Sequence, residues 1–130
     1  MTTTPKPSNQ PVMRLVTRPN EANSRGDIFG GWLMGQMDIA GAVCVTDQFT
    51  NDIATRAVNQ MNFYLPIIVG MILHFDAQIS HVGKTSLTVK VNVFGRTRTE
   101  DNQNWQFLAD AEMIYVAIKS IGSPTRLIKR

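Results

Sequence analysis

The chain has 130 residues, enough for one domain with one core and too few for two. Apolar residues make up 43% of it and its mean hydropathy is -0.10, which describes a globular chain rather than a low-complexity or collagen-like one. The formal net charge of +3 is mild, and the cations are scattered with few aromatics among them, which argues against a nucleic-acid partner.

Residues 1–11 are rich in Thr and Pro and are expected to form a disordered N-terminal tail. Met1 leads into Thr-Thr-Thr-Pro-Lys-Pro rather than a basic and then apolar run, so no signal peptide is expected. Residues 12–17 suit a short strand that stops at Arg18-Pro19. The segment 19–27 is a loop full of turn residues, and Asp27 is placed to cap a helix that follows.

The spacing predicts that helix over residues 28–47, despite Gly30, Gly31, Gly35 and Gly41. Each interior glycine costs a helix about 1 kcal/mol relative to alanine, so their presence calls for a packing or functional reason. Gly31, Gly35, Asp38, Gly41 and Ala42 fall on one face at steps of three and four. Phe29, Leu33, Met37, Ala40 and Cys44 form a second face suited to lying on a sheet, and a helix so apolar all round is expected to be buried on most sides. Gln36, Asp38 and the glycines argue against a membrane span. Cys44 is the only cysteine; it excludes an internal disulfide, reads as a core residue, and fits a reducing, cytoplasmic setting.

Asp38 is the only charged residue between Ile28 and Thr46. Burying a lone carboxylate costs several kcal/mol unless partners compensate it or it takes up a proton. That cost points to chemistry, the alternative being a buried Asp that bonds a backbone amide.

The rest of the chain alternates with period two. A strand is expected over 56–64, closed by Leu65-Pro66. Leu73, Phe75, Ala77 and Ile79 then alternate with polar residues, as do Leu87, Val89, Val91 and Val93. A long last strand is expected over 107–119, with turns at 82–84 and 97–104 and a short C-terminal tail over 120–130. The result is a single domain at 12–119: a strand, a long helix and four strands in a meander, an α+β layout in which an antiparallel sheet wraps one central helix. His74 and His81 have no carboxylate or Cys at ligand spacing, so no metal site is expected; the first reads as a surface strand residue and the second as a turn residue.

Several blocks resemble the hotdog-fold acyl-CoA thioesterases, specifically the YciA-like branch and the cytosolic acyl-CoA hydrolases. They are Asn23-Ser24-Arg25-Gly26-Asp27-Ile28-Phe29-Gly30-Gly31-Trp32-Leu33-Met34, Gln36-Met37-Asp38, Met61-Asn62-Phe63 with Pro66, Val69-Gly70, and Val82-Gly83-Lys84-Thr85-Ser86. The resemblance runs in family order over roughly residues 12–118. It implies hydrolysis of acyl-CoA to free CoA and a carboxylic acid, with no cofactor or metal. It implies Asp38 as the catalytic carboxylate, acting as base or nucleophile, with Asn23 as its partner across a dimer interface. It also implies that amides around Gly30 and Gly31 face the thioester carbonyl, in line with the free N–H groups of any helix N-terminus. Met61 and Phe63 are expected to contact substrate. Lys84 and Arg96, at positions often basic in this family, are expected to meet the CoA phosphates.

A homodimer is implied, and beyond it a hexamer built as a trimer of dimers. The alternatives are a non-catalytic acyl-CoA-binding hotdog module and a hotdog hydroxyacyl-thioester dehydratase. The second usually needs a His beside the carboxylate, and neither the loop nor the helix holds one. The chain departs from the family at Leu65 and Met71, where a basic and an acidic residue are common, which bears on CoA contacts.

Overall fold

Strands of twelve and more residues with one apolar face need something to cover it, and here a single helix does so. The computed structural model describes residues 4–99 and 104–130. In chain order it contains β1 (Met13–Val16), a 3-10 turn (Pro19–Glu21), α1 (Gly30–Gln48), β2 (Asp52–Phe63), β3 (Met71–Val82), β4 (Ser86–Thr97), β5 (Gln106–Ser120) and β6 (Ser123–Pro124). The turn expected over 97–104 falls partly outside the described residues, at 100–103.

The sheet is antiparallel, ordered β1-β3-β4-β5-β2, with the short β6 beside β5. One helix on a six-stranded antiparallel sheet agrees with the α+β expectation. The meander does not hold for all four strands. β3, β4 and β5 follow one another, but β2 crosses to the far edge and pairs with β5, Thr55 opposite Tyr115 and Phe63 opposite Ala109. The reason is edge occupancy: β1 already takes the free side of β3, with Met13 opposite Phe75, so only β5 has an edge to offer. β2 also begins at Asp52, four residues before the expected start.

The core lies between α1 and the concave face of the sheet. Leu33, Met37, Ala40, Cys44 and Val45 pack with Leu73, Phe75, Val89, Val91, Met113 and Tyr115. Full burial of a Leu or Met side chain contributes about 1.5–3 kcal/mol, so this face alone explains why a glycine-rich segment stays helical. Gly41 belongs to this buried face rather than to the open one. Phe29 lies just outside the helix and is exposed, as are Ile39 and Val43 on its outer side. The helix is therefore covered on its sheet side only.

Segments near both ends are tied to the rest of the fold. The Ser8 amide and hydroxyl donate to the Asp76 carboxylate. Residues 120–130 turn back over the far end of the helix, where the Leu127 amide donates to the Lys84 carbonyl and the Arg130 amide to that of Gln48.

His74 corrects its expectation. It points to the convex side of β3, yet it is fully buried, boxed in by Phe94 and Trp105 at ring distances of 5.8 and 5.3 Å. Arg14 donates to its Nδ1 at 3.3 Å, and its Nε2 bonds Asp76 at 2.9 Å. His81 lies within β3, not in the turn, and is exposed. Burial pushes the His74 imidazole below its ordinary 6.5, helped by Arg14 and opposed by Asp76. The folded state thus prefers neutral His74, so its contribution to stability is complete above about pH 6.5 and is lost as pH falls through the lower folded value. Acidification from pH 7.5 to 5.5 should lower Tm, and a His74→Gln variant should show a shallower slope. Scanning calorimetry at the two pH values measures both, and equal slopes would remove His74 as the cause.

Candidate active site

The loop before the helix is shaped by its own side chains. Asn23 Oδ1 accepts from the backbone N–H groups of Arg25 at 2.9 Å and Asp27 at 3.2 Å, and the Asn23 backbone N–H donates to the Asp27 carbonyl at 2.7 Å. Asn23 therefore is a turn residue, with its oxygen committed locally. Asp27 does not cap the helix as expected. Its carboxylate pairs with Arg25 at 3.4 Å, and the cap position is Phe29, which supplies no side-chain acceptor.

The helix start is pinned from outside, by Ile28 N–H to Ile67 C=O at 2.7 Å and Phe29 N–H to Glu21 C=O at 2.9 Å. Its first turn carries no acid and no side-chain cap. The first amides of a helix have no partner within it, and here the adjoining space is a pocket of about 390 Å³. Asn23, Gly30, Phe63, Tyr64, Leu65 and Pro66 are among its lining residues. A methyl group at Gly30 would press on the Phe63 ring at 3.1 Å, so glycine lets that ring close the pocket against the helix end. A pocket with apolar walls at Ile28, Leu33 and Phe63 and polar residues Arg25 and Asp27 at its side, ending on helix-start amides, suits a carbonyl that gains negative charge during reaction.

Asp38 stands two turns further along the helix, half-buried, beside β2. Thr55 donates to Asp38 Oδ1 at 2.7 Å, and Tyr115 donates to the Asp38 carbonyl at 2.6 Å. Ile39, Ala42 and Ile53 complete a small hollow of about 120 Å³ around it. Burial, and then the neighbouring Asp38 charge, push the Tyr115 phenol far above its ordinary range, so it remains a hydrogen-bond donor. Thr55 and Tyr115 were not singled out from the sequence. Their sites lie 60 residues apart in the chain, and β2 was expected to begin after Thr55; only the pairing of β2 with β5 puts both hydroxyls on one rung.

The other expected site residues separate. Gly30 and Phe63 line the helix-end pocket. Gly31 is exposed on the open face of the helix, and Met61 is half-buried against the core beside the β2 bulge. Asp38 and Asn23 line different hollows, and eight residues of helix put Asp38 about 12 Å from Gly30. Lys84 lies in a groove of about 470 Å³ with Phe49, Arg126, Leu127 and Lys129. Arg96 is at the opposite end of β4, its guanidinium 5.1 Å from the Trp105 ring. At about 3.3 Å per strand residue, the two cations are more than 30 Å apart. Of the two departures from the family, Leu65 rims the helix-end pocket, whereas Met71 is buried in the core.

The model of the Thioesterase superfamily matches residues 25–101. The acyl-CoA thioester hydrolase YciA of Salmonella typhimurium is 34% identical over 122 residues, 93% of this chain and 92% of that protein. Among solved structures, a hexameric thioesterase from Yersinia pestis superposes with a TM-score of 0.86 at 32% identity, covering 94% of this chain and 98% of that one. A hexameric broad-specificity acyl-coenzyme A thioesterase superposes with a TM-score of 0.84 at 30% identity, covering 92% and 87%.

Proposed function

The chain belongs to the thioesterase superfamily, and on that footing we propose that it is an acyl-CoA thioester hydrolase, releasing free CoA and a carboxylic acid. The observation that carries the reading is the uncapped start of α1 opening into an apolar pocket, with a carboxylate on the same helix. The acyl chain enters the pocket past Phe63, and the carbonyl oxygen meets the amides of Gly30 and Gly31. Loss of one such donor typically costs about 3–4 kcal/mol in the barrier. Asp38 keeps Oδ1 on Thr55 and presents Oδ2 to the reaction. As base it takes a proton from water while the water oxygen attacks the carbonyl carbon; as nucleophile it attacks directly, giving an anhydride that water then opens. In both routes the carbon–sulfur bond breaks and the CoA thiolate leaves.

Asp38 and the amides are too far apart in one chain to serve one carbonyl, so we assign the site to two copies, Asp38 of one facing Asn23 and the helix start of the other. β2 supports such a pairing, because among the described residues its outer edge has no partner strand, and Val58 on it and Ile39 and Val43 on the helix are exposed. Edges and apolar patches of this kind favour covering by another chain. A homodimer, assembled further into a hexamer as in the Yersinia pestis protein, is our reading of the assembly. No helix of the described residues is long and apolar enough to cross a membrane, and we place the enzyme in the cytoplasm.

A thiol-release assay over short, medium and long acyl-CoAs should detect turnover, and Asp38→Asn should abolish it with the fold intact. No release with any chain length would leave only an acyl-CoA-binding module. Sharing of the site predicts complementation. Inactive Asp38→Asn subunits mixed and refolded with Asn23→Ala subunits should regain activity, because one site in each mixed dimer then has both native residues. Mixing without recovery would put both residues in one subunit's site.

The CoA phosphates are assigned to the Lys84 groove, where Arg126 and Lys129 add charge; Arg96 reaches the same ligand only from another copy. Lys84→Glu should raise KM for CoA esters in a salt-sensitive way with little change in kcat. An unchanged KM would move the nucleotide elsewhere.

A further inference from the structure

Asp38 is attached to the sheet twice, and the second attachment falls on its main chain. Tyr115 is 1% exposed, and its hydroxyl donates to the Asp38 carbonyl at 2.6 Å. Directly opposite on β2, Thr55 donates to the carboxylate at 2.7 Å. A single rung of the β2–β5 ladder thus meets the helix at one residue with two hydroxyls. The β2 register shifts immediately after it, between Thr55 and Ala57. Such bulges re-aim side chains next to functional sites.

A carbonyl inside a helix already has one partner in the amide four residues on, and its second lone pair takes the hydroxyl of the buried phenol. The helix makes specific room for that phenol. A methyl group at Gly41 would overlap the Tyr115 hydroxyl and crowd its ring, although glycine weakens a helix interior relative to alanine. Tyr115 and Gly41 are a matched pair, centred on the turn that carries Asp38.

We propose that Tyr115 is a positioning residue for the reaction: through the helix backbone, with Gly41 as its clearance, it fixes the turn from which Asp38 projects. Thr55 then sets the rotation of the carboxylate itself. The inference rests on Asp38 being the reacting carboxylate, as proposed above.

The test compares Tyr115→Phe, Gly41→Ala and Asp38→Asn with the native chain in thiol-release kinetics, with Tm and particle size measured on each. Tyr115→Phe keeps the ring and its burial and removes only the hydroxyl. Small displacements of a catalytic group cost up to about a hundredfold in rate, so kcat should fall tenfold or more while KM stays within about twofold. Gly41→Ala, which displaces the hydroxyl, should show the same split. A Tyr115→Phe enzyme with native kcat, beside an inactive Asp38→Asn, would overturn the positioning role and leave the Asp38 assignment standing. A fall in Tm without a fall in kcat would do the same, reducing Tyr115 to a core residue. Native turnover by Asp38→Asn would instead remove the premise, and this inference with it. Should Gly41→Ala fail to fold, Tyr115→Phe decides alone.

Discussion

Burial of one face of α1 against the sheet is the constraint on which the site depends. Leu33, Met37, Ala40, Cys44 and Val45 are almost wholly removed from solvent, and β5 turns Ala109, Ala111, Met113, Tyr115 and Ala117 into the same core. Once that face is down, the rotation of the helix is settled. Asp38 emerges at the side of the buried face, level with β2, and the helix start points at the 63–67 turn. The distance between the carboxylate and the free amides follows from helix rise alone. No side-chain adjustment closes it, and that gap is the ground on which a second copy is proposed at the site.

The same packing leaves a consistent set of groups unsatisfied. The first turn of α1 has open amides and carries no acidic side chain of its own, and a negative charge is what a helix start stabilises. Along the outer side of the helix, Ile39 and Val43 stay exposed beside the open edge of β2. These features cost stability in an isolated chain and make sense where substrate and a neighbouring subunit cover them. On the side of the sheet away from the helix, hydrogen bonds gather on one carboxylate. Asp110 takes hydrogen bonds from Asn62, Tyr64 and Lys90. That network ties the end of β2 and the pocket residue Tyr64 to the sheet.

Much of the site was legible in the residues. A lone carboxylate in an apolar run announces its own cost, and four glycines in a helix need a reason; Asp38, Gly30 and Gly41 each have one in the structure, with the fold and family following from the same blocks. What was misjudged shares a cause. The helix was given a cap at Asp27, but that carboxylate pairs with Arg25 two residues back. His74 looked like a solvent-facing position because its strand alternates, but Arg14, Phe94 and Trp105 cover it from three other segments.

Periodicity and side-chain chemistry are local properties, so the chain by itself determined which segments are strands, which is the helix, and which carboxylate stands out. Which strands become neighbours is a contest for edges among distant segments, and it carries no local mark. That contest put β2 beside β5 rather than β3, brought Thr55 opposite Tyr115, and so assembled the two hydroxyls around Asp38. Only the tertiary structure decided that rung, because hydrogen-bonded register across 60 residues is fixed by where the other edges are already taken.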